Sequence, residues 1–473
     1  MLLERIYDSD LAQASYFIGC PTGKEAIVVD PRRDIDVYLD LAALNEMEII
    51  AVTETHIHAD YLSGTRELAA ATGAEIYISG EGGPDWTYEY EGTLLHDGDI
   101  IPVGNILLEA SHTPGHTPEH LSFLVTDASA APTPAYMLTG DFVFVGDLGR
   151  PDLLDEAAGF ENTRFAGAHQ LYHCLQTKFL TLPDYVQVYP AHGAGSACGK
   201  TLGAIPSSTV GFERRFAWWA PYLERGDEEG FVTALLSGQP DVPLYFGRMK
   251  RQNKQGPAIH GQLPQLREYS VDELEGTLVV DTRSEQFIHS GTLGHALAIP
   301  DGLAPNSKAA SWGGWVIDPE TDDRPIVVVA PDEAAAEIFR THAMRVGIDS
   351  VVGFVRSLEG AELVTPQVVS PAQLKGWVAG EDYAAIWDVR NQGQYGAGHI
   401  PGAVHVNAGK LLWQFDQTPQ AAAGPDGRPV VIYCEFGPRA TVTAGLLRER
   451  GYQACELEGS YGAWLNSGYD VEA

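Results

Sequence analysis

The chain contains no apolar run approaching the ~18 consecutive residues that a membrane helix needs. It is also short of positive charge: of 473 residues only 30 are Lys or Arg against 64 Asp or Glu, a net charge of −34. Such an excess repels phosphate backbones and anionic lipid, so neither nucleic acid nor a membrane surface is expected as a partner. Cysteine is scarce. Five residues, an odd number without regular spacing, make no disulfide framework and fit a reducing cytoplasm. The first residues lack a basic segment followed by an apolar one, so no signal peptide is expected. What remains is ordinary. Apolar residues at 44% and charged residues at 20% exclude a disordered, collagenous or coiled-coil chain. The length exceeds the roughly 250–300 residues at which single cores stop growing, so two to four domains are expected.

Residues 1–245 read as alternating strands and helices. Apolar strands at Ala26–Asp30, Glu48–Val52, Tyr136–Asp141 and Val186–His192 end at or beside polar residues, several of them Asp or His. That pattern predicts an α/β fold with one site at the strand ends. Residues 246–264 hold Arg248, Lys250, Arg251 and Lys254 with Gly and Pro, and read as a basic surface linker. Beyond it lies a weak duplication. Leu278–Arg283 resembles Ala385–Arg390, and Pro325–Val329 resembles Pro429–Tyr433. Asp281 and Asp388 stand 107 residues apart, a domain-sized period. Two copies of one small α/β domain are expected, at 265–362 and 363–473.

The first region carries four motifs in order: His56-Ile57-His58-Ala59-Asp60-Tyr61, His112-Thr113-Pro114-Gly115-His116-Thr117, Thr139-Gly140-Asp141 and Pro190-Ala191-His192. A single His-x-His is commonplace. The joint order of imidazoles and carboxylates after strands points to a metal centre. These motifs resemble the metallo-β-lactamase superfamily, and the resemblance implies an αββα sandwich with metal at the strand edges. Leu138–Asp141, Asp147–Asp152 and Tyr189–Gly195 look like its persulfide dioxygenase branch. Carried over, that branch's iron ligands fall on His56, His116 and Asp141, and its persulfide-binding arginine on Arg150. One position departs: the superfamily's Asp-His is Asp60-Tyr61 here. A neutral phenol is a poor ligand at pH 7. The second site of dinuclear hydrolases would keep only Asp60 and His192, which is thin for zinc. Two histidines and a carboxylate with open positions suit a non-haem ferrous centre, one Fe(II) per chain. His58, Asp60 and His192 are then expected as hydrogen-bond partners behind the ligands. Tyr61 beside them is expected to be structural, its OH on a neighbour. His112 reads as a neighbour of the site, and His120 and His169 as ordinary histidines.

In the last region the buried strand Val430–Tyr433 leads into Cys434-Glu435-Phe436-Gly437-Pro438-Arg439 and a helical run. A cysteine between a strand end and a helix start meets converging backbone N–H groups, which suits an anionic persulfide. With Asp388-Val389-Arg390 and Gly398–Ala403 upstream, this combination resembles a rhodanese domain. The resemblance implies that Cys434 carries sulfur as the nucleophile and Arg439 closes the anion cradle. Asp388 and Arg390 read as scaffold. In the first copy Ala330 stands where Cys434 would, followed by Pro331-Asp332-Glu333, so that copy is expected to be an inactive spacer. Cys20, Cys174, Cys198 and Cys455 read as structural, with Cys198 the one to watch because it follows His192 closely.

The whole resembles the multidomain persulfide dioxygenase–rhodanese proteins of sulfide detoxification. It implies a low-molecular-weight thiol persulfide and O2 as substrates, sulfite and thiosulfate as sulfur partners, and cytoplasmic work; a homo-oligomer is left open. The rivals are a zinc thioester hydrolase like glyoxalase II and a non-enzymatic sulfur carrier.

Overall fold

The computed structural model describes residues 1–153, 163–380, 383–415 and 428–473. It divides into one unit of residues 1–242 and 246–263 and another of residues 243–245 and 264–473.

The first unit is built on two six-stranded sheets. One runs in order β1 (Leu2–Asp8), β2 (Gln13–Cys20), β3 (Glu25–Val29), β4 (Glu48–Thr53), β5 (Glu75–Ser79), β6 (Thr93–Leu95). The other holds β7 (Ile100–Val103), β8 (Ile106–His112), β9 (Leu121–Asp127), β10 (Tyr136–Gly140), β11 (Gln187–Pro190) and β12 (Ser208–Thr209), also side by side. Alternation along the strands sets the layers, because successive side chains leave opposite faces. Tyr16, Ile18, Ile27 and Val29 face the space between the sheets and meet Leu108, Ala110, Phe123 and Val125. Their neighbours Phe17, Ala26 and Val28 face outward onto Tyr38 of α1 (Asp36–Leu44) and Leu68 of α2 (Thr65–Thr72). Across the molecule Met137, Val186 and Val188 face Leu171 of α3 (Thr163–Cys174), with Phe179 and Trp219. Both sheets are therefore apolar on both faces, as a helix–sheet–sheet–helix stack requires.

The basic stretch read as a linker is instead helical. In α4 (Phe246–Gln255), Phe246, Met249 and Asn253 are buried at helical spacing. Asn253 accepts from the Ser63 N–H (2.9 Å) and donates to the carbonyls of His58 (2.8 Å) and Tyr61 (2.7 Å). The charges of this stretch concealed an amphipathic helix that holds the histidine loop.

The second unit contains the duplication as two parallel five-stranded sheets. The first runs β13 (Arg267–Tyr269), β18 (Val351–Val355), β17 (Ile326–Val329), β14 (Leu278–Asp281), β16 (Leu297–Ala298), with a separate pair β15 (Thr292–Leu293) and β19 (Leu363–Val364). The second runs β20 (Gln367–Val369), β24 (Ala454–Leu457), β23 (Val430–Tyr433), β21 (Ala385–Asp388), β22 (Val404–His405), the same order strand for strand. The matching Asp-x-Arg pairs also have matching bonds. Arg283 holds Asp281 and the Gly291 carbonyl; Arg390 holds Asp388 and the Gly398 carbonyl. The first copy is more than a spacer, because Ala298 lies directly against Gly445, in the helix α5 (Pro438–Glu449) of the second copy. Among the described residues no helix is long and apolar enough to cross a membrane.

Candidate metal centre and sulfur cradle

The site residues follow the ends of β4, β8, β10 and β11, where the chain leaves its strand ladder and side chains can converge. His56, His116 and Asp141 meet there, all buried, with ligand atoms within 4.8 Å of one another. Hydrogen bonds select which atoms face the centre. Thr55 Oγ1 donates to Asp30 Oδ2 (3.0 Å) and so accepts from His56 Nδ1–H (2.9 Å). His116 Nδ1–H donates to the Arg150 carbonyl (2.8 Å). Both Nε2 atoms are left bare, 4.0 and 3.5 Å from Asp141 Oδ2, a buried oxygen with no hydrogen-bond partner. Two unprotonated imidazole nitrogens and an unsatisfied carboxylate oxygen suit a divalent cation. Burial, reinforced by neighbouring imidazoles, holds His56 well below its ordinary pKa. Burial likewise lowers His116, against the opposing pull of Asp141. Both therefore stay neutral and able to ligate.

His58 does not join them. Its Nε2 faces Asp30 Oδ1 at 3.0 Å, while its ring lies 4.2 Å from that of His56. Burial disfavours its charge, but Asp30 outweighs burial and raises it to about 9. Asp30 also accepts the Thr55 N–H at 2.7 Å. It sits at φ +54°, a left-handed turn off β3 that aims its carboxylate back at the loop. Tyr61 is fully buried, and its OH donates to the Asp30 carbonyl and accepts from Gln13 Nε2, both at 3.2 Å. The phenol OH is thus engaged by its neighbours.

His192 lies between two carboxylates, Nδ1 2.7 Å from Asp141 Oδ1 and Nε2 2.8 Å from Asp60 Oδ2. Burial opposes its charge, yet Asp141 and its neighbours raise it well above the ordinary range. Burial likewise opposes ionisation of Asp141, and His192 outweighs it, holding that carboxyl below the usual carboxylate range.

Two residues entered the site without being read from the pattern, and a third had been marked only for its closeness to His192. His120, taken as ordinary, stacks on His56 with ring centres 5.1 Å apart and accepts the Asp141 N–H at Nε2 (3.0 Å). Gly140 permits this approach, since a Cβ there would lie 2.5 Å from His120 Nε2. Asp30 is the second. Cys198 is the third, its thiol gathered with Asp60 and His192. The motif's Pro-Glu-His spacing and the strand-final Asp were visible signals for the first two.

Arg150 was expected at the substrate. The structure buries it completely, with its guanidinium on Asp152 (2.8 and 2.6 Å) and on the carbonyls of Ala197 and Pro240. Its backbone N–H donates to the Cys198 carbonyl (3.1 Å). A guanidinium tied in this way fixes the loop carrying Cys198 and the carbonyl that orients His116.

In the second unit Cys434 follows β23. The Gly437 N–H donates to its sulfur at 3.2 Å, and the Ser460 hydroxyl stands 3.8 Å from it. Ser460 also accepts the Cys434 N–H (3.2 Å). Arg439 donates to Gln394 Oε1 (3.3 Å), and Gln394 donates in turn to Glu435. Ala330 stands at the matching strand end of the first copy, and Asp332 caps the helix that follows.

Comparison with known proteins agrees with this layout. Residues 9–192 match the metallo-beta-lactamase superfamily and residues 370–467 match the rhodanese-like domain. Over 200 residues the sequence is 30% identical to the mitochondrial persulfide dioxygenase ETHE1 of Bos taurus, covering 41% of this chain and 68% of that protein. It is 26% identical over 199 residues to the probable polyketide biosynthesis zinc-dependent hydrolase BaeB of Bacillus velezensis, 42% of this chain and 80% of that one. A crystal structure of a metallo-beta-lactamase from Staphylococcus aureus superposes with a TM-score of 0.67 at 36% identity, covering 75% of this chain and 99% of its own.

Proposed function

Because the chain belongs to the metallo-beta-lactamase superfamily and carries a rhodanese-like domain near its C-terminal end, we propose that it is a ferrous persulfide dioxygenase coupled to a sulfurtransferase. The observation that carries this reading is the departure of His58 to Asp30. It leaves two imidazoles and one carboxylate on the first site, the donor set of non-haem oxygenases with open positions. The relatives include a protein named as a persulfide dioxygenase as well as one named as a zinc-dependent hydrolase.

The residues fit a ferrous ion that would be held by His56 Nε2, His116 Nε2 and Asp141 Oδ2 and when bound would supply O2 activation. The protein's own part is orientation. Thr55 and the Arg150 carbonyl keep the two Nδ1 protons away from the centre, and His192 and His120 keep Asp141 turned toward it. The overall change is oxidation of the terminal sulfur of a low-molecular-weight persulfide by O2 and water, giving sulfite, free thiol and two protons. In the second unit the Cys434 thiolate takes a sulfane sulfur from a persulfide or from thiosulfate. The displaced thiol or sulfite leaves, and sulfite is the acceptor in the reverse direction. The Gly437 N–H and Arg439 favour the anionic sulfur. All five cysteines are free, which suits work in a reducing cytoplasm.

The test is metal analysis joined to an oxygen electrode. The iron-reconstituted chain is expected to consume O2 with a glutathione or coenzyme A persulfide and to yield sulfite. Two zinc ions per chain, thioester hydrolysis and no persulfide-dependent O2 uptake would overturn the reading.

A further inference from the structure

Helix α5 carries the sulfur cradle at its start and meets the first copy along its length. Glu285 opens the short helix Glu285–Ser290 of the first copy and reaches the N-terminal end of α5: a Cβ on Gly437 would lie 2.7 Å from Glu285 Oε1. Next along, Thr441 donates to Glu456 (2.6 Å), which also faces His289 of the first copy (3.1 Å). Ala298 lies against Gly445, where a Cβ would stand 2.6 Å from the Ala298 nitrogen. At the last turn Arg324 donates to Glu449 (2.8 Å). Gly437, Thr441, Gly445 and Glu449 follow one another four residues apart, so one ridge of α5 is given over to the first copy.

The contact at Gly437 bears on the sulfur. The Gly437 N–H is the donor to Cys434 Sγ (3.2 Å), so the Glu285 carboxylate stands one residue's breadth from the cradle. Other acids nearby are answered by cations. Glu435 Oε2 accepts from Arg390 (3.1 Å), and Glu456 is faced by His289 and by Arg448 (3.5 Å). Among the described residues Glu285 has no ion pair with an arginine or lysine. The basic group gathered with it is His289, already engaged by Glu456.

We propose that Glu285 is a specificity-determining residue of the cradle, an assignment that rests on reading Cys434 as the sulfur-carrying nucleophile. Its carboxylate, supplied by the copy that has no nucleophile, disfavours doubly charged partners such as thiosulfate. It leaves thiol persulfides with no charge near the reacting sulfur unaffected. The Gly437 N–H and the start of α5 attract any anion. A fixed negative charge beside them opposes a further charge on the incoming group. The two donors go through the same step. The Cys434 thiolate forms a bond to the outer sulfur of a persulfide as the old sulfur–sulfur bond breaks; the thiolate leaves and the proton stays on the transferred sulfur. With thiosulfate the leaving group is sulfite. Charge at the reacting group, and not the bond made or broken, is what Glu285 distinguishes.

The test compares the full chain with Glu285→Gln, which keeps the shape and removes the charge, at about pH 8, above the ordinary carboxylate range. Iodoacetate and iodoacetamide share a reactive carbon and differ by one charge, and alkylation of Cys434 by each is timed by mass spectrometry of its peptide. The glutamine variant should raise the iodoacetate rate, relative to iodoacetamide, by at least about threefold. Its kcat/KM with thiosulfate should rise by at least about threefold, mainly through KM, while that with uncharged 2-hydroxyethyl persulfide stays within about 1.5-fold. Glu285→Asp should keep the parent pattern more closely than Glu285→Gln does. An unchanged reagent ratio, an equal change for both reagents, or no rise with thiosulfate would overturn the assignment, the second because a merely structural part moves both alike. The alkylation ratio needs no sulfur transfer. A shifted ratio on a chain that transfers no sulfur before substitution would support the charge effect and place the failure on the sulfurtransferase reading.

Discussion

Replacing Asp141 by asparagine separates a ligand from a support more sharply than any other change at this centre. The amide keeps the shape and one oxygen that can accept His192 Nδ1–H, now 2.7 Å from Oδ1. It removes the charge and the bare Oδ2 that faces His56 and His116 at 4.0 and 3.5 Å. Losing an outer hydrogen-bond partner costs metal affinity about 10–100-fold. Losing one of three protein ligands should cost more than about 100-fold, or about 2.8 kcal/mol at about 1.4 kcal/mol per tenfold. His192→Ala, which removes only the support, should stay within the smaller range. Stability of the metal-free chain gives the control. Asp141→Ala strips His192 of a buried partner, a kind of loss that costs about 3–5 kcal/mol, whereas Asp141→Asn retains an acceptor and should cost less. Ferrous affinity is measured by chelator competition without oxygen, and metal-free stability by urea unfolding of the first unit. The ligand assignment fails if Asp141→Asn binds iron within tenfold of the parent chain, or if His192→Ala loses as much iron as Asp141→Asn does.

Cys434→Ser should abolish thiosulfate–thiol sulfur transfer while persulfide-dependent O2 uptake continues and product shifts from thiosulfate to sulfite, because a hydroxyl is not ionised at neutral pH; loss of O2 uptake as well would show obligate coupling. Tyr61→Phe should destabilise the first unit by about 0.5–1.5 kcal/mol through loss of the bonds its OH makes, since Gln13 Nε2 and the Asp30 carbonyl stay bonded to each other at 3.0 Å, with no change in metal stoichiometry. A changed stoichiometry would make Tyr61 more than structural. In the second unit His289 Nε2 stands 3.1 Å from Glu456, whose hydrogen bond raises the His289 pKa. That contribution is fully present below the unfolded value of about 6.5 and fades as pH rises through the higher folded value. His289→Gln should therefore cost more stability at pH 6 than at pH 9 in urea melts, and an equal cost at both would argue against the pairing.

Much of the layering was legible in the chain because it depends on local periodicity. Strands at Glu25–Val29, Glu48–Thr53, Tyr136–Gly140 and Val430–Tyr433 show in their apolar runs. The duplication shows in the repeated Asp-x-Arg that follows an apolar strand, since a buried arginine pairing with its own strand's carboxylate is a local device. Cys434 was legible for a similar reason: strand, glycine and helix start are consecutive, and the Gly437 N–H three residues on meets its sulfur, whereas Ser460 arrives from a distant part of the chain. The stretch at 246–255 was misread because its cations outweighed three apolar or amide positions at helical spacing.

The residue types for a metal centre are properties of the sequence; which of them meet is a property of the packed sheets. Asp30 is 28 residues from His58, yet it takes that imidazole away from the centre and leaves the first site with its two-histidine, one-carboxylate set. Arg150 is matched to Asp152 two residues on in a buried ion pair and is also tied to the carbonyls of Ala197 and Pro240. His120 and Cys198 acquire their places only when strands from distant segments bring their loops together. The reason is physical. An imidazole, carboxylate or thiol can accept either a proton, a hydrogen bond or a metal, and the choice depends on partners within about 3 Å. Those partners here lie up to 132 residues away along the chain, as Asp60 does from His192, so the choice could be made only in the folded protein.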